Sequence, residues 1–202
     1  MAHGAGLDTD RIVKACLAIA DDEGIGSVTM RRLSRELGVT PMAIYHHVAN
    51  KDELLDLVLD ESLRAVDPVE PDGDPLDELT RWGQAFHRLL VAHPSLAQEM
   101  AARRLEGPVA LGAARRVLDL LGRAGVDDDR ADELLVALFG FVLGSALYRN
   151  SRAEESIRRG RRTLPEVEGE RRAGVRERLA AASMTDERFT GGLTTLIRGY
   201  LT

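Results

Sequence analysis

A single cysteine, Cys16, occurs in the 202 residues, which excludes an intrachain disulfide and any cysteine-built metal cluster. Proline is sparse, with seven residues, and no stretch shows the sustained alternation of β-branched residues that a sheet requires. Alanine, leucine, arginine and glutamate abound instead, which favours helix and predicts an all-α protein. The longest apolar run, Leu134–Leu147, carries glycine and serine and is too short to span a bilayer. The N-terminal MAHGAGLDTD lacks the basic start and apolar run of a secretory leader. These absences lead us to expect a cytoplasmic protein with no membrane partner. No HExxH, GxSxG, CxxC or Walker loop is present, so no catalytic centre, metal or cofactor is expected. The glycines of Gly24-Ile25-Gly26-Ser27 do not make a phosphate loop, because they follow a helix and no Lys-Ser/Thr closes them.

What is present is a helical hairpin over Thr29–Lys51. Leu33 and Leu37, four apart, share a face of one helix, and Gly38 follows where a helix end tolerates positive φ. Val39 plugs the corner. Thr40 stands as an N-cap with Pro41 at the first helical position of the next helix, whose buried face is Ile44 and Val48. Met42, Ala43, Tyr45, His46 and His47 remain outward. The chain carries a formal charge of −6, yet this stretch sets Arg31, Arg32, Arg35 and Lys51 against Glu36 alone. Positive charge concentrated at a helix-turn-helix suits the phosphates of a duplex. On these residues alone, a surface hairpin with solvated charges is the lesser, alternative reading.

The wider stretch narrows the choice. Thr29 opening a helix, Leu33-x-x-x-Leu37-Gly38-Val39-Thr40-Pro41, Ile44-Tyr45-x-His47-Val48 and Asn50-Lys51-x-x-Leu54 together resemble the DNA-binding domain of the TetR (tetracycline-repressor-like) family of transcription regulators. The resemblance covers about the first 65 residues. It implies a three-helix helix-turn-helix domain over 1–66 and a helical ligand-binding and dimerisation domain over 75–202. It also implies Thr29, Arg31, Thr40, Pro41, Met42, Ala43, Tyr45, His46, His47 and Lys51 as the residues facing double-stranded operator DNA. Arg31 would read guanine, Met42, Ala43 and His46 would lie at base edges, and Tyr45, His47 and Lys51 at phosphates.

Around this stretch, Asp8 or Thr9 caps a first helix ending at Gly24, with Ile12, Cys16 and Ile19 inward. Asn50 caps a continuous helix from Lys51 to about Val66. Residues 67–75, rich in proline and acid, read as a linker. Further helices are predicted over about 75–93, 94–105, 108–122 and 127–150. Ser151–Glu168, with the arginine run Arg158, Arg159, Arg161 and Arg162, reads as a charged surface loop, Glu170–Ala182 as a short helix, and Thr185 as the cap of a last helix.

In the second half, His87, His93 and Arg103 fall on helices otherwise apolar. The resemblance implies a small-molecule pocket, for which Trp82, Phe86, His87, Met100, Arg103, Leu118, Phe139 and Val142 are the candidates. Tetracycline itself is disfavoured, because the family's tetracycline binders use a histidine where this chain aligns Asp67. Gly140 and Gly144, four apart on a helix apolar all round, point to close helix packing across a two-fold axis, joined by Leu193, Leu196 and Gly199. The function expected is a homodimeric, ligand-responsive regulator, a repressor, on a palindromic operator, released by an apolar or amphipathic small molecule. Control by a protein partner and a small helical enzyme are the rival readings.

Overall fold

The computed structural model describes residues 7–70, 72–159 and 185–201, with side chains omitted for 152–159. Every regular element among them is helical. They are α1 (Thr9–Glu23), α2 (Met30–Leu37), α3 (Pro41–Tyr45), α4 (Lys51–Ser62), α5 (Pro75–Ala92), α6 (Pro94–Ala102), α7 (Pro108–Arg123), α8 (Asp128–Arg159) and α9 (Asp186–Leu201). Short 3₁₀ turns occupy Ile25–Ser27 and Leu63–Ala65.

The helix starts are set by side chains that accept a hydrogen bond from otherwise orphaned amides. Asp8 accepts from Arg11, Thr29 from Arg32, Thr40 from Ala43, Asn50 from Glu53 and Asp74 from Asp77. Proline takes the first turn of α3, α5, α6 and α7, where its missing N–H costs nothing. Gly38 ends α2 at φ 67° and ψ 30°, the left-handed conformation the tight turn into α3 demands.

α1, α2 and α4 close around Ile12, Cys16, Ile19, Leu33, Ile44, Leu54 and Val58, all nearly or fully buried. Burial pushes the Cys16 thiol up to about 12, so it stays protonated and packs as a small apolar group. The second half winds around α8, which packs against α5, α6, α7 and α9 through Leu134, Leu138, Val142 and Ala146. Asp128–Ser151 of this helix is long and apolar enough to cross a membrane by length and composition. The run Leu134–Leu147 taken alone is too short for that, and five of its residues, Leu134, Leu138, Val142, Leu143 and Ala146, are in the core.

Four expectations change. α3 is helical only to Tyr45, with a turn bringing Val48 back to the Ile44 carbonyl at 3.2 Å. α4 does not continue to Val66, because Leu63, Val66 and Val69 all turn into the core. Their spacing of three suits a 3₁₀ turn followed by extended chain, not an α-helix. The linker is tied down: Val69 is buried, Arg81 donates to the Pro68 carbonyl at 2.8 Å, and the Glu70 amide donates to Glu78 at 2.8 Å. α8 runs to Arg159, into the stretch read as a loop, because Ser151–Arg159 is made largely of good helix formers. The rest of that stretch and the helix expected over Glu170–Ala182 lie outside the described residues.

Candidate nucleic-acid interface and internal cavity

The corner between α2 and α3 presents a compact polar face. Leu33, Ile44 and Val48 anchor it from below. Thr40, Pro41, Met42, Tyr45, His46, His47 and Lys51 are exposed around α3, and Ala43 is half-buried. Met42 is 66% exposed, an unusual state for a large apolar side chain unless something covers it. Arg31 is exposed beside this face on α2. Arg32 belongs elsewhere: it forks onto Glu23 at 2.7 Å and Glu36 at 2.7 Å, fixing α2 against the end of α1. The Arg32 guanidinium holds the Glu23 carboxyl below its ordinary range. Thr29 and Thr40 each use the hydroxyl oxygen as a helix cap, which leaves the hydroxyl hydrogen able to donate outward.

A cavity of about 820 Å³ lies between α5, α7, α8 and the end of α4. Four of the eight expected pocket residues line it: Trp82, Phe86, Arg103 and Phe139. Their rings adjoin, with Trp82 and Phe86 centroids 5.4 Å apart and Phe86 and Phe139 5.9 Å apart. The other four do not. Val142 shares the fully buried face of Leu134 and Leu138, and Met100 is likewise in the core. Leu118 lies one turn beyond Ala114 on α7, past the cavity. His87 stacks on Phe189 of α9, with centroids 3.9 Å apart, and among the described residues its Nε2 has no hydrogen-bond partner. Burial first, then the nearby Arg149 cation, lowers its pKa to about 4, so it is a neutral core imidazole. His93 is also outside the cavity and faces Asp21 of α1 at 2.7 Å. Asp67 is largely exposed and does not line the cavity.

Sequence reasoning missed the walls contributed by Leu63, Arg64, Val66 and the first half of α7. The Gly107-Pro108 break was their one visible signal.

It also missed how α4 is joined to these walls. Asp52, Asp56 and Asp60 recur every four residues along one face of α4. Arg103, at the end of α6, donates to Asp52 at 2.8 Å and Asp56 at 3.1 Å, and is steadied by Glu99 at 2.9 Å. Asp60, only 6% exposed, reaches the other way. It accepts from the Val109 amide at 3.2 Å and the Ala110 amide at 2.9 Å, capping α7. A β-carbon on Gly107 would sit 2.1 Å from the Asp60 carboxyl carbon, so only glycine admits this cap.

On α8, Val136, Gly140, Gly144 and Tyr148 form an exposed stripe at four-residue spacing, whose first member, Val136, also lines the cavity. No atom lies within 4 Å of a β-carbon built on Gly140, Gly144 or Gly199. Leu196 is half-buried beside them, but Leu193 is not part of this face. It is fully buried against Gly83 of α5, and Gly192 similarly meets Phe141. Helix phase explains the difference: the α9 face bearing Phe189, Leu193 and Ile197 points inward. Among the described residues, no group of three His, Cys, Asp or Glu is placed to hold a metal ion.

The family description "Bacterial regulatory proteins, tetR family" matches residues 12–58, and "Tetracyclin repressor-like, C-terminal domain" matches residues 67–202. The HTH-type transcriptional repressor DrrR1 of Streptomyces coeruleorubidus is 33% identical over 174 residues, which are 84% of this chain and 58% of that protein. The chain thus spans little more than half the length of this curated relative. The Streptomyces coelicolor TetR family protein ActR, solved in complex with (S)-DNPA, superposes with a TM-score of 0.75 at 33% identity, covering 98% of each chain. BioQ, solved with its natural double-stranded DNA operator, superposes with a TM-score of 0.69 at 27% identity, covering 97% of this chain and 99% of that one.

Proposed function

Because this chain belongs to the tetR family of bacterial regulatory proteins, we propose that it is a DNA-binding transcription regulator, a repressor, that works as a homodimer and is released from its operator by a small molecule. The observation that carries this reading is the joining of cavity to α4. The walls that an occupant would touch, the α6–α7 connection and the start of α7, hold α4 by three carboxylates in a row. α4 in turn begins at Lys51, directly after the exposed face of α3.

Each subunit would set α3 in a major groove. Met42, Ala43 and His46 would stand at base edges, with Arg31 reaching in from α2. Tyr45, His47 and Lys51, with the caps Thr29 and Thr40 and the ring of Pro41, would meet the backbone. Two copies joined through the Val136–Tyr148 stripe and Gly199 would read half-sites about one turn of DNA, roughly 34–36 Å, apart or somewhat more. An occupant that fits the cavity better in one disposition of α6 and α7 than in another shifts α4 by that difference in affinity. A ligand-sized cavity favours a small molecule over a protein partner as the signal.

Selection from randomised duplexes tests the reading. The purified chain is expected to enrich an inverted repeat, and Tyr45→Ala is expected to weaken binding to all recovered sequences. Recovery of no common sequence would overturn it.

A further inference from the structure

The cavity has two unlike walls. On one side stand the rings of Trp82, Phe86 and Phe139. Along α7 the lining runs from Pro108 to Ala114, with Ala110, Gly112, Ala113 and Ala114 small beside Val109 and Leu111, and a β-carbon at Gly112 would meet nothing within 4 Å. Rings facing small side chains leave a space suited to flat rings, which stack on aromatic faces.

The charges at the rim sort themselves. Arg64 is paired with Glu61, and Arg103 is spent on Asp52, Asp56 and Glu99. Arg104 lies 3.8 Å from Glu106. The amides that open α7, elsewhere a seat for anions, are occupied by Asp60. Arg116, on the lining of the cavity, has no carboxylate partner among the described residues. Helical side chains lean toward the N-terminus, so Arg116 is directed over the turn of Gly112, whose β-position is open.

Resting on the reading of this cavity as the effector site, we infer that the effector is a flat, fused-ring aromatic acid. Its rings lie against Trp82, Phe86 and Phe139, and its anionic group is received by the guanidinium of Arg116. A charge-assisted hydrogen bond at a half-enclosed rim corresponds to about tenfold in affinity.

Trp82 is the only tryptophan in the chain, so its emission reports on the cavity alone. Anthraquinone-2-carboxylate and its neutral carboxamide are titrated into the full-length protein, with quenching of Trp82 and heat of binding followed together. The carboxylate is expected to bind about tenfold more tightly than the amide, and Arg116→Gln to bring the two to parity. Equal binding of both probes by the unaltered protein, an undiminished preference in Arg116→Gln, or no quenching by either probe would overturn the assignment. Binding of the ligand-free protein to a selected operator duplex is measured separately. Its failure would sink the regulator reading, whereas operator binding without quenching would sink only the ligand class.

Discussion

His87 holds a neutral imidazole in the core, stacked on Phe189 and near Arg149. Its pKa falls from the ordinary 6.5 to about 4, so between those values the unfolded chain binds a proton that the folded chain refuses. Stability from this group is therefore complete above about pH 6.5 and is lost as pH falls toward 4. His87→Leu is expected to flatten the decline of melting temperature over that window, and an unchanged slope would assign the acid sensitivity elsewhere. At the exposed face, Lys51→Ala is expected to weaken operator binding uniformly and reduce its salt dependence, while Arg31→Ala relaxes preference at one or two base pairs at a cost of about 1–3 kcal/mol. Salt titrations on matched and mismatched duplexes separate the two. The exposed residues of α3 were legible in the sequence because a four-residue stripe, Ile44 and Val48, leaves only one outward side. The cavity residues were half legible. Periodicity marks Trp82, Phe86, His87, Phe139 and Val142 as inward, but not which of them meet another helix and which meet a void.

Among the elements, α4 carries the consequence of the polar contacts. Uncapping α7 by Asp60→Ala is expected to cost about 1–2 kcal/mol in chemical denaturation. Gly107→Ala should also destabilise, by about 1–3 kcal/mol, since its methyl would collide with the Asp60 carboxyl. With Asp60 already shortened, the second substitution should cost far less than alone, and strict additivity would mean that the two residues do not meet. Helix beginnings were legible because caps and first-turn prolines are local signals. The end of α4 was not, since Leu63, Val66 and Val69 turn inward only because the second half of the fold stands there to receive them. Ala65, at the end of the helix expected to run through it, is exposed and does not line the cavity, while Leu63, Arg64 and Val66 do. The end of α8 was missed for the opposite reason: charge was taken for a loop signal although the residues favour helix.

For the molecule as a whole, the dimer proposed through the stripe of Val136, Gly140 and Gly144 would make assembly a matter of backbone approach. Gly144→Leu is expected to leave the fold intact, as nothing occupies that space within one subunit, and to lower the dimer fraction in sedimentation. An unchanged profile would place the interface elsewhere. Linkage sets a further test: operator must weaken effector binding by the same factor as effector weakens operator binding, typically about 5–150-fold. Equal effector affinities with and without operator, by calorimetry, would remove the second half from control of the first. Glycine pairs on an apolar helix announced that stripe in the sequence. Leu193 was assigned to it wrongly because the last helix has apolar residues on two sides, and only tertiary packing shows which one is spent on Gly83.

The row of Asp52, Asp56 and Asp60 also bears on building hybrid regulators, in which one protein's operator preference is joined to another's effector response. A graft that brings in a foreign segment through residue 66 replaces α4 and, with it, the partners of Arg103 and of the Val109 and Ala110 amides. The recipient would then hold an arginine left with Glu99 alone and a helix start with nothing to cap it, and the hybrid would bind its operator yet ignore the effector. A graft ending at Val48 keeps the acidic row but asks Leu54 and Val58 to fit an unfamiliar α1. The exchangeable unit is therefore defined by chemistry and not by the junction of the two halves: positions 52, 56 and 60 travel with 99, 103 and 107, or stay behind with them.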